Sequence, residues 1–356
     1  MRILIAPTAW KGTFSPRQAA AAIAEGVRRA LPDAQLEIIP VADGGDGLLD
    51  AVLPENARRD TVSVTGPRGN PVEAVLGWAD DSTAICESAA ACGLALLSRV
   101  QRNPVSTTTR GVGELIAQAV SRGAATVVVG LGGSATVDGG TGAGRALGWR
   151  FLDDAGVALA EGGGALIHLA RVEAGPALGA RVVALADVTT PLTGRRGAAP
   201  VFAAQKGAGP AQVELLSAAL DRLQMVLGKM GRQSMATVPG SGAAGGLGAG
   251  LIWFAGAQLV PGAAWVLERL GVDAAIGRAD LVITAEGRVD HTSLVGKVTG
   301  EVVRRARAAG KNTLVLAAAA EEGIELPVRH ARGRVVDAAG LADLAQHAAL
   351  SSPSYG

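Results

Sequence analysis

Residues 126–148, TVVVGLGGSATVDGGTGAGRALG, decide how this chain reads. Thr126 to Val129 is a short β-branched run, the composition of a buried strand. It ends in glycine. Gly130, Gly132, Gly133, Gly139, Gly140, Gly142 and Gly144 follow, with Ser134 and Asp138 as the strongly polar side chains among them. Glycines permit positive φ and close backbone approach, so several N–H groups can converge on one anion. A helix beginning after Asp138 would add the partial positive charge of its N-terminus at the same place. The stretch therefore predicts a phosphate or carboxylate cradle. A glycine-rich strand-to-helix turn required only by packing would have the same composition.

Composition narrows the classes. A chain of 356 residues is long enough for two domains and a large core. Its 50 glycines are about twice ordinary usage, and aromatics are few, so loops and small-residue packing dominate. The 33 basic and 32 acidic residues leave a net charge of +1 with no basic block, which disfavours nucleic acid and anionic membranes as partners. Cys86 and Cys92 lack the spacing and the neighbouring His or Cys of a zinc site, and read as reduced, buried thiols. The N-terminus, MRILIAPTAWKG, breaks at Pro7 and Lys11 before a signal peptide could form, which points to a cytoplasmic location. Gln233 to Leu267 is free of charge, but its glycines and the flanking Pro239 and Pro261 favour a loop and a buried helix over a membrane span.

Taken in order, Arg2 to Ala6 is a strand. Ser15, Pro16 and Gln18 carry a capping-box signature that starts a helix running to about Leu31. Leu36 to Pro40 is a second strand, ending in a loop with Asp43 and Asp46. This strand–loop–helix rhythm is that of a parallel sheet, whose ligands bind beyond the carboxyl ends of the strands. Between Asp60 and Glu87 three strand-like runs divided by turn residues suggest antiparallel hairpins and a new domain. A helix is predicted over Gly111 to Ser121 and another over Ala211 to Gly228, with Asp187 at an intervening strand end and a second dense glycine loop, PGSGAAGGLGAG, at 239–250. The parallel rhythm returns near Asp280: strand LVIT, polar loop AEGRVDHTSLVGK, helix VTGEVVRRARAAG, strand TLVLAAA. The expected fold is α/β. A Rossmann-like parallel-sheet domain (1–58 plus 262–356) is interrupted by an inserted domain with a mixed sheet and glycine-rich loops (59–261).

Loops bearing Asp43 and Asp46, Asp187, and Glu286 and Asp290 lie at predicted strand ends, as do Lys11, Lys206 and Lys297. Phosphoryl transfer uses such a set: carboxylates for Mg²⁺, cations and amides for the phosphates, and a base for the acceptor hydroxyl. The P-loop pattern GxxxxGK[ST] is absent, since Val298 follows Lys297. A dinucleotide fingerprint (Gly130, Gly132, Ala135, with Asp153 further on) is opposed by Asp138-Gly139-Gly140, which would fall inside the helix that should follow.

Together the loops resemble the bacterial glycerate kinase family of the type that forms 2-phosphoglycerate. The matching segments are ADGGDG (42–47), GPRGNPVEA (66–74), GVGELI (111–116), GLGGSAT with DGG (130–140), PLTGRRGA (191–198), QKGA (205–208), PGSGAAGGLGAGL (239–251), ADLVIT (279–284) and EGRVD with GK (286–297). The resemblance implies transfer of the ATP γ-phosphoryl group to D-glycerate with Mg²⁺, by two unlike α/β domains closing over a cleft. It implies Asp290, Asp187 and Lys11 as catalytic residues. Ser134, Gly132, Gly133, Lys297, Lys206, Gly245 and Gly246 would bind substrate and phosphate, and Asp43, Asp138 and Glu286 the metal. Partners would be a small hydroxy acid and a nucleotide, with no nucleic acid and no membrane. Oligomeric state is left open, a homodimer included.

The chain also departs from the family pattern. Thr8-Ala9-Trp10 stands where Asp-Ser-Phe is expected, Val137 replaces an asparagine, Thr189 and Thr190 replace an acid and an amide, Ala285 a glycine, and Thr292 a glutamine. Each swap is expected at a loop tip facing ligand. Three readings follow: a working glycerate kinase with a modified site, a kinase of another small hydroxy acid, or a nucleotide-binding homologue without catalysis.

Overall fold

The computed structural model describes residues 1–10, 13–45, 47–294, 297–321, 323–324, 327–330 and 337–350. Lys11 and Asp46, both singled out above, lie outside the described residues. The chain is α/β and forms two compact units. One comprises Met1–Asp43, Asp50–Val52 and the chain from Gly262 onward; the other comprises Gly44–Leu49 and Leu53–Pro261.

The first unit is built on a five-stranded parallel sheet in the order Val328–His330, Asn312–Ala320, Leu281–Val289, Arg2–Ile5, Gln35–Ile38. Its central strands read as continuous apolar runs because both faces are covered. Ile3 and Ile5 pack with Ile23, Leu341 and Ala345 on one face, and Leu4 packs with Leu267 and Ile276 on the other. The first helix spans Pro16–Ala30, and its start is the capping box read in the sequence: Gln18 N–H donates to Ser15 Oγ at 3.2 Å while Ser15 N–H donates to Gln18 Oε1 at 2.9 Å.

One difference from the sequence reading bears on the site. The strand expected to end at Thr284 continues to Val289, so Ala285 and Glu286 lie in the sheet and not in a polar loop. The extra length comes from tertiary pairing, since Glu286 and Val289 register with Ala317 and Ala320 of the neighbouring strand. Local propensity gave no signal for that continuation.

The second unit has a six-stranded mixed sheet in the order Gln258–Val260, Arg181–Leu185, Thr126–Gly130, Thr83–Glu87, Pro71–Asp80, Arg59–Thr65. The first four are parallel and the last two antiparallel, in hairpin fashion. The charge-free stretch contains the helix Ala243–Ala255, mostly buried in the core with Leu247, Leu251 and Phe254. Among the described residues no helix is long and apolar enough to cross a membrane.

Candidate active site

In the second unit the strands Thr126–Gly130 and Arg181–Leu185 run side by side and parallel, so the loops at their carboxyl ends emerge together. Leu131 N–H donates to Leu185 O at 3.0 Å and holds that junction. Asp187 follows directly, half-buried, and its Oδ2 accepts the Gly44 N–H at 3.0 Å. That bond ties Gly44 to the strand end. The backbone of Gly45 packs on Gly132, where an added Cβ would stand 3.3 Å from the Gly132 Cα.

The glycine loop itself has an outer lip and a buried floor. Gly132 is braced by Ser88, whose hydroxyl lies 3.3 Å from its N–H and 3.2 Å from its carbonyl. Gly133 is exposed, with φ +59°, and its carbonyl accepts Leu94 N–H at 2.7 Å. Ser134 is buried just behind it. Among the described residues the N–H groups of Gly133 and Ser134 have no acceptor. The lip is thus the part of the cradle that retains donors.

Asp138 requires a correction. The sequence assigns it to a metal at the start of a helix, but it is fully buried and its oxygens are taken up inside the fold. Oδ2 accepts the N–H and hydroxyl of Thr109 (2.9 and 2.8 Å) and the N–H of Gly142 (3.1 Å), while Oδ1 accepts Gly140 N–H (3.1 Å). Burial raises its pKa above the usual carboxylate range, against the pull of these bonds. Its carboxylate therefore fills the N-terminus of the short helix Thr141–Ala146.

Gly245 and Gly246, the other glycines expected near phosphate, are engaged in packing. With φ of +71° and +90° they follow Ala244 (φ +52°) in a left-handed break of the helix, buried against residues 136–139. Gly245 O accepts Gly139 N–H at 3.1 Å, and a Cβ on Gly245 would lie 1.9 Å from Thr136 O. At these positions glycine lets the two segments pack backbone against backbone.

Lys206, expected on a phosphate, is instead 4 % exposed, and its Nζ donates to Ser134 Oγ at 2.8 Å and to Thr136 O at 2.7 Å. Burial lowers its pKa to about 8, while Cys92 and Asp138 oppose that shift. The Cys92 thiol is pushed up to about 12 by the same burial and stays protonated at neutral pH.

The first unit gathers a second set of groups at the ends of its parallel strands. Lys297 Nζ lies 3.3 Å from Glu286 Oε1 and 3.8 Å from Asp290 Oδ1. Glu286 Oε2 is buried without a hydrogen-bond partner among the described residues. Lys297 caps the helix Val298–Ala308, whose first N–H, that of Val298, donates to Asp43 Oδ1 at 3.1 Å. Among the described residues no three carboxylates, histidines or cysteines cluster as a metal-binding group.

The departures divide by location. Val137 and Ala285 are completely buried in the hydrophobic core, so neither stands at a ligand-facing tip. Thr8 is buried too, and both its N–H and its hydroxyl donate to Ala285 O (2.9 and 3.1 Å), fastening the loop after the first strand. Trp10 is buried edge-on to Phe14. Thr189 is exposed and Thr190 half-buried. The Thr292 side chain lies outside the described residues.

Comparison with known proteins places these loops among relatives. Residues 3–348 match the model of the family described as the glycerate kinase family. The chain is similar to glycerate 2-kinase of Escherichia coli, 40 % identical over 93 % of this chain and 88 % of that one. It is 42 % identical to glycerate kinase of Bacillus subtilis over 86 % of this chain and 82 % of that one. A crystal structure from Salmonella typhimurium LT2, provisionally described as glycerate kinase 2, superposes with a TM-score of 0.83 at 37 % identity, covering 98 % of this chain and 96 % of that one.

Proposed function

We propose, for a chain that belongs to the glycerate kinase family and is a kinase, that it transfers the γ-phosphoryl group of ATP to D-glycerate and forms 2-phospho-D-glycerate. The observation that carries this reading is the lip at Gly133 and Ser134, whose backbone donors have no acceptor among the described residues and which follows a strand end adjoining the one that leads to Asp187. Phosphoryl transfer asks the protein mainly for positioning and for fixed donors where charge develops. A lip of unclaimed N–H groups supplies both.

Mg²⁺ would neutralise charge on the donor phosphoryl oxygens. Glu286 fits such a hard cation, because its Oε2 is a buried carboxylate oxygen with no hydrogen-bond partner among the described residues. Asp43, half-buried with one oxygen on a backbone N–H, is its expected companion; Asp138 does not fit. Lys297 and Lys11 are assigned to anionic oxygens, and Asp290 or Asp187 to the acceptor's hydroxyl proton. In this reading the protein works in the cytoplasm, consistent with its two free, buried thiols.

A kinase of a different small hydroxy acid is the second reading, favoured by the exposed Thr189 and half-buried Thr190 beyond Asp187. A non-catalytic relic is disfavoured, because two of the swaps that suggested it lie in the core. Turnover of ATP with Mg²⁺ and a panel of hydroxy acids tests the choice. Glycerate as the best acceptor supports the proposal; ATP binding with no acceptor consumed would return the relic reading to first place.

A further inference from the structure

The bond between Lys206 and Ser134 fixes more than a distance. A charged ammonium has three hydrogens and no lone pair, so it can only donate. Both of its oxygen contacts, Ser134 Oγ at 2.8 Å and Thr136 O at 2.7 Å, are therefore acceptors toward it. The Ser134 hydroxyl proton is thereby turned away from Lys206. Among the described residues that proton has no acceptor, and the residue sits immediately behind the exposed Gly133, whose N–H is likewise unclaimed.

We propose that Lys206 is a positioning residue: from beneath the loop it holds the Ser134 hydroxyl as an outward donor, which with the Gly133 and Ser134 N–H groups receives one anionic oxygen of a ligand. The oxygen belongs to a nucleotide phosphoryl group or to the carboxylate of the hydroxy acid, and the two sources share the same chemistry. Only the identity of the ligand rests on the kinase reading.

The arrangement also makes a conditional prediction about charge. Once Lys206 loses its proton, Nζ acquires a lone pair that can accept from Ser134, and the outward donor is consumed. The groups facing the ammonium do not mimic that step. The Cys92 thiol titrates only near 12, and Asp138 is held by Thr109, Gly140 and Gly142. The Phe202 ring, centred 6.0 Å away, does not titrate.

The test is calorimetric binding of ATP, of D-glycerate and of inorganic tripolyphosphate to the full-length protein across pH 6.5 to 9.5. The variants are Ser134→Ala, Ser134→Thr, Lys206→Met and the double variant Ser134→Ala/Lys206→Met. For one ligand source, Ser134→Ala and Lys206→Met should each weaken binding about tenfold, the double variant no further, and Ser134→Thr should restore it. Wild-type affinity for that ligand should fall as pH rises through about 8, and Ser134→Ala should abolish the fall. ATP and tripolyphosphate responding together identifies a phosphoryl group, and glycerate alone the carboxylate. Additive losses, or an alkaline fall that persists in Ser134→Ala, would overturn the proposal even if Lys206→Met fails to fold. Tripolyphosphate binding with these signatures but no phosphoryl transfer overturns only the kinase reading. No binding of any of the three overturns both.

Discussion

Asp138 Oδ2 takes both the N–H and the hydroxyl of Thr109, at 2.9 and 2.8 Å, across a separation of 29 residues. The carboxylate of the glycine loop is thereby a tie between that loop and the start of the helix Arg110–Ser121.

Asp138→Asn tests the tie. The amide can keep one oxygen toward Thr109 and Gly142, but its NH₂ then opposes the Gly140 N–H. Leaving one buried donor unmatched costs about 1–3 kcal/mol. Urea unfolding in EDTA should show a loss of that size. Unchanged stability without metal, coupled to weaker Mg²⁺ binding, would restore Asp138 as a metal ligand.

Gly245→Ala should be among the most damaging small substitutions in the chain. Its φ is +71° and the new Cβ would meet Thr136 O at 1.9 Å, so the loop pair must separate. A loss above about 3 kcal/mol is expected, from strain combined with overpacking. Gly194→Ala is the control: φ is +88° but nothing lies within 4 Å, and only the strain of about 1 kcal/mol remains. Equal losses in thermal unfolding would contradict the assignment of Gly245 to packing.

Lys206 links stability to pH with a definite sign. Its folded pKa of about 8 lies below the ordinary 10.5, so the folded state gives up the proton first. Its contribution is therefore complete above 10.5 and is lost as pH falls through about 8. Wild-type stability relative to Lys206→Met should rise by ~3 kcal/mol between pH 8 and 10.5. Isothermal urea unfolding of both proteins at matched pH reads this directly; a flat difference would show that the buried ammonium keeps its ordinary pKa, and a falling one that its pKa is raised.

These cases also mark what the sequence made legible. The helix Pro16–Ala30 and the strand Thr126–Gly130 were readable because their signals are local: a capping box and a β-branched run. The strand Leu281–Val289 was read short because its last residues are held by a neighbour, not by their own propensity. Gly245 and Gly133 look alike in sequence, yet one is buried against residues about a hundred positions away and the other is exposed at a lip. Lys206 carried no local sign of burial; only its place in QKGA set it apart. Likewise Val137, read as a lost ligand contact, proves to be core. Side-chain direction at a glycine loop is a tertiary property.

Lys297 holds Glu286 and Asp290 within 4.0 Å of one cation. Lys297→Ala leaves two neighbouring carboxylates without it, so ATP turnover should fall at least about a hundredfold if its charge serves phosphoryl transfer. Stability should change by no more than about 1 kcal/mol, because the ammonium is partly solvated. The opposite pattern, normal turnover with a large stability loss, would make the group structural.

The most direct test of the central claim is phosphorus NMR of the product formed from ATP, Mg²⁺ and D-glycerate by the purified protein. The account predicts the resonance of 2-phospho-D-glycerate growing with ADP in equal amounts. Formation of the 3-phosphate instead, or ATP bound and glycerate left untouched, would contradict it.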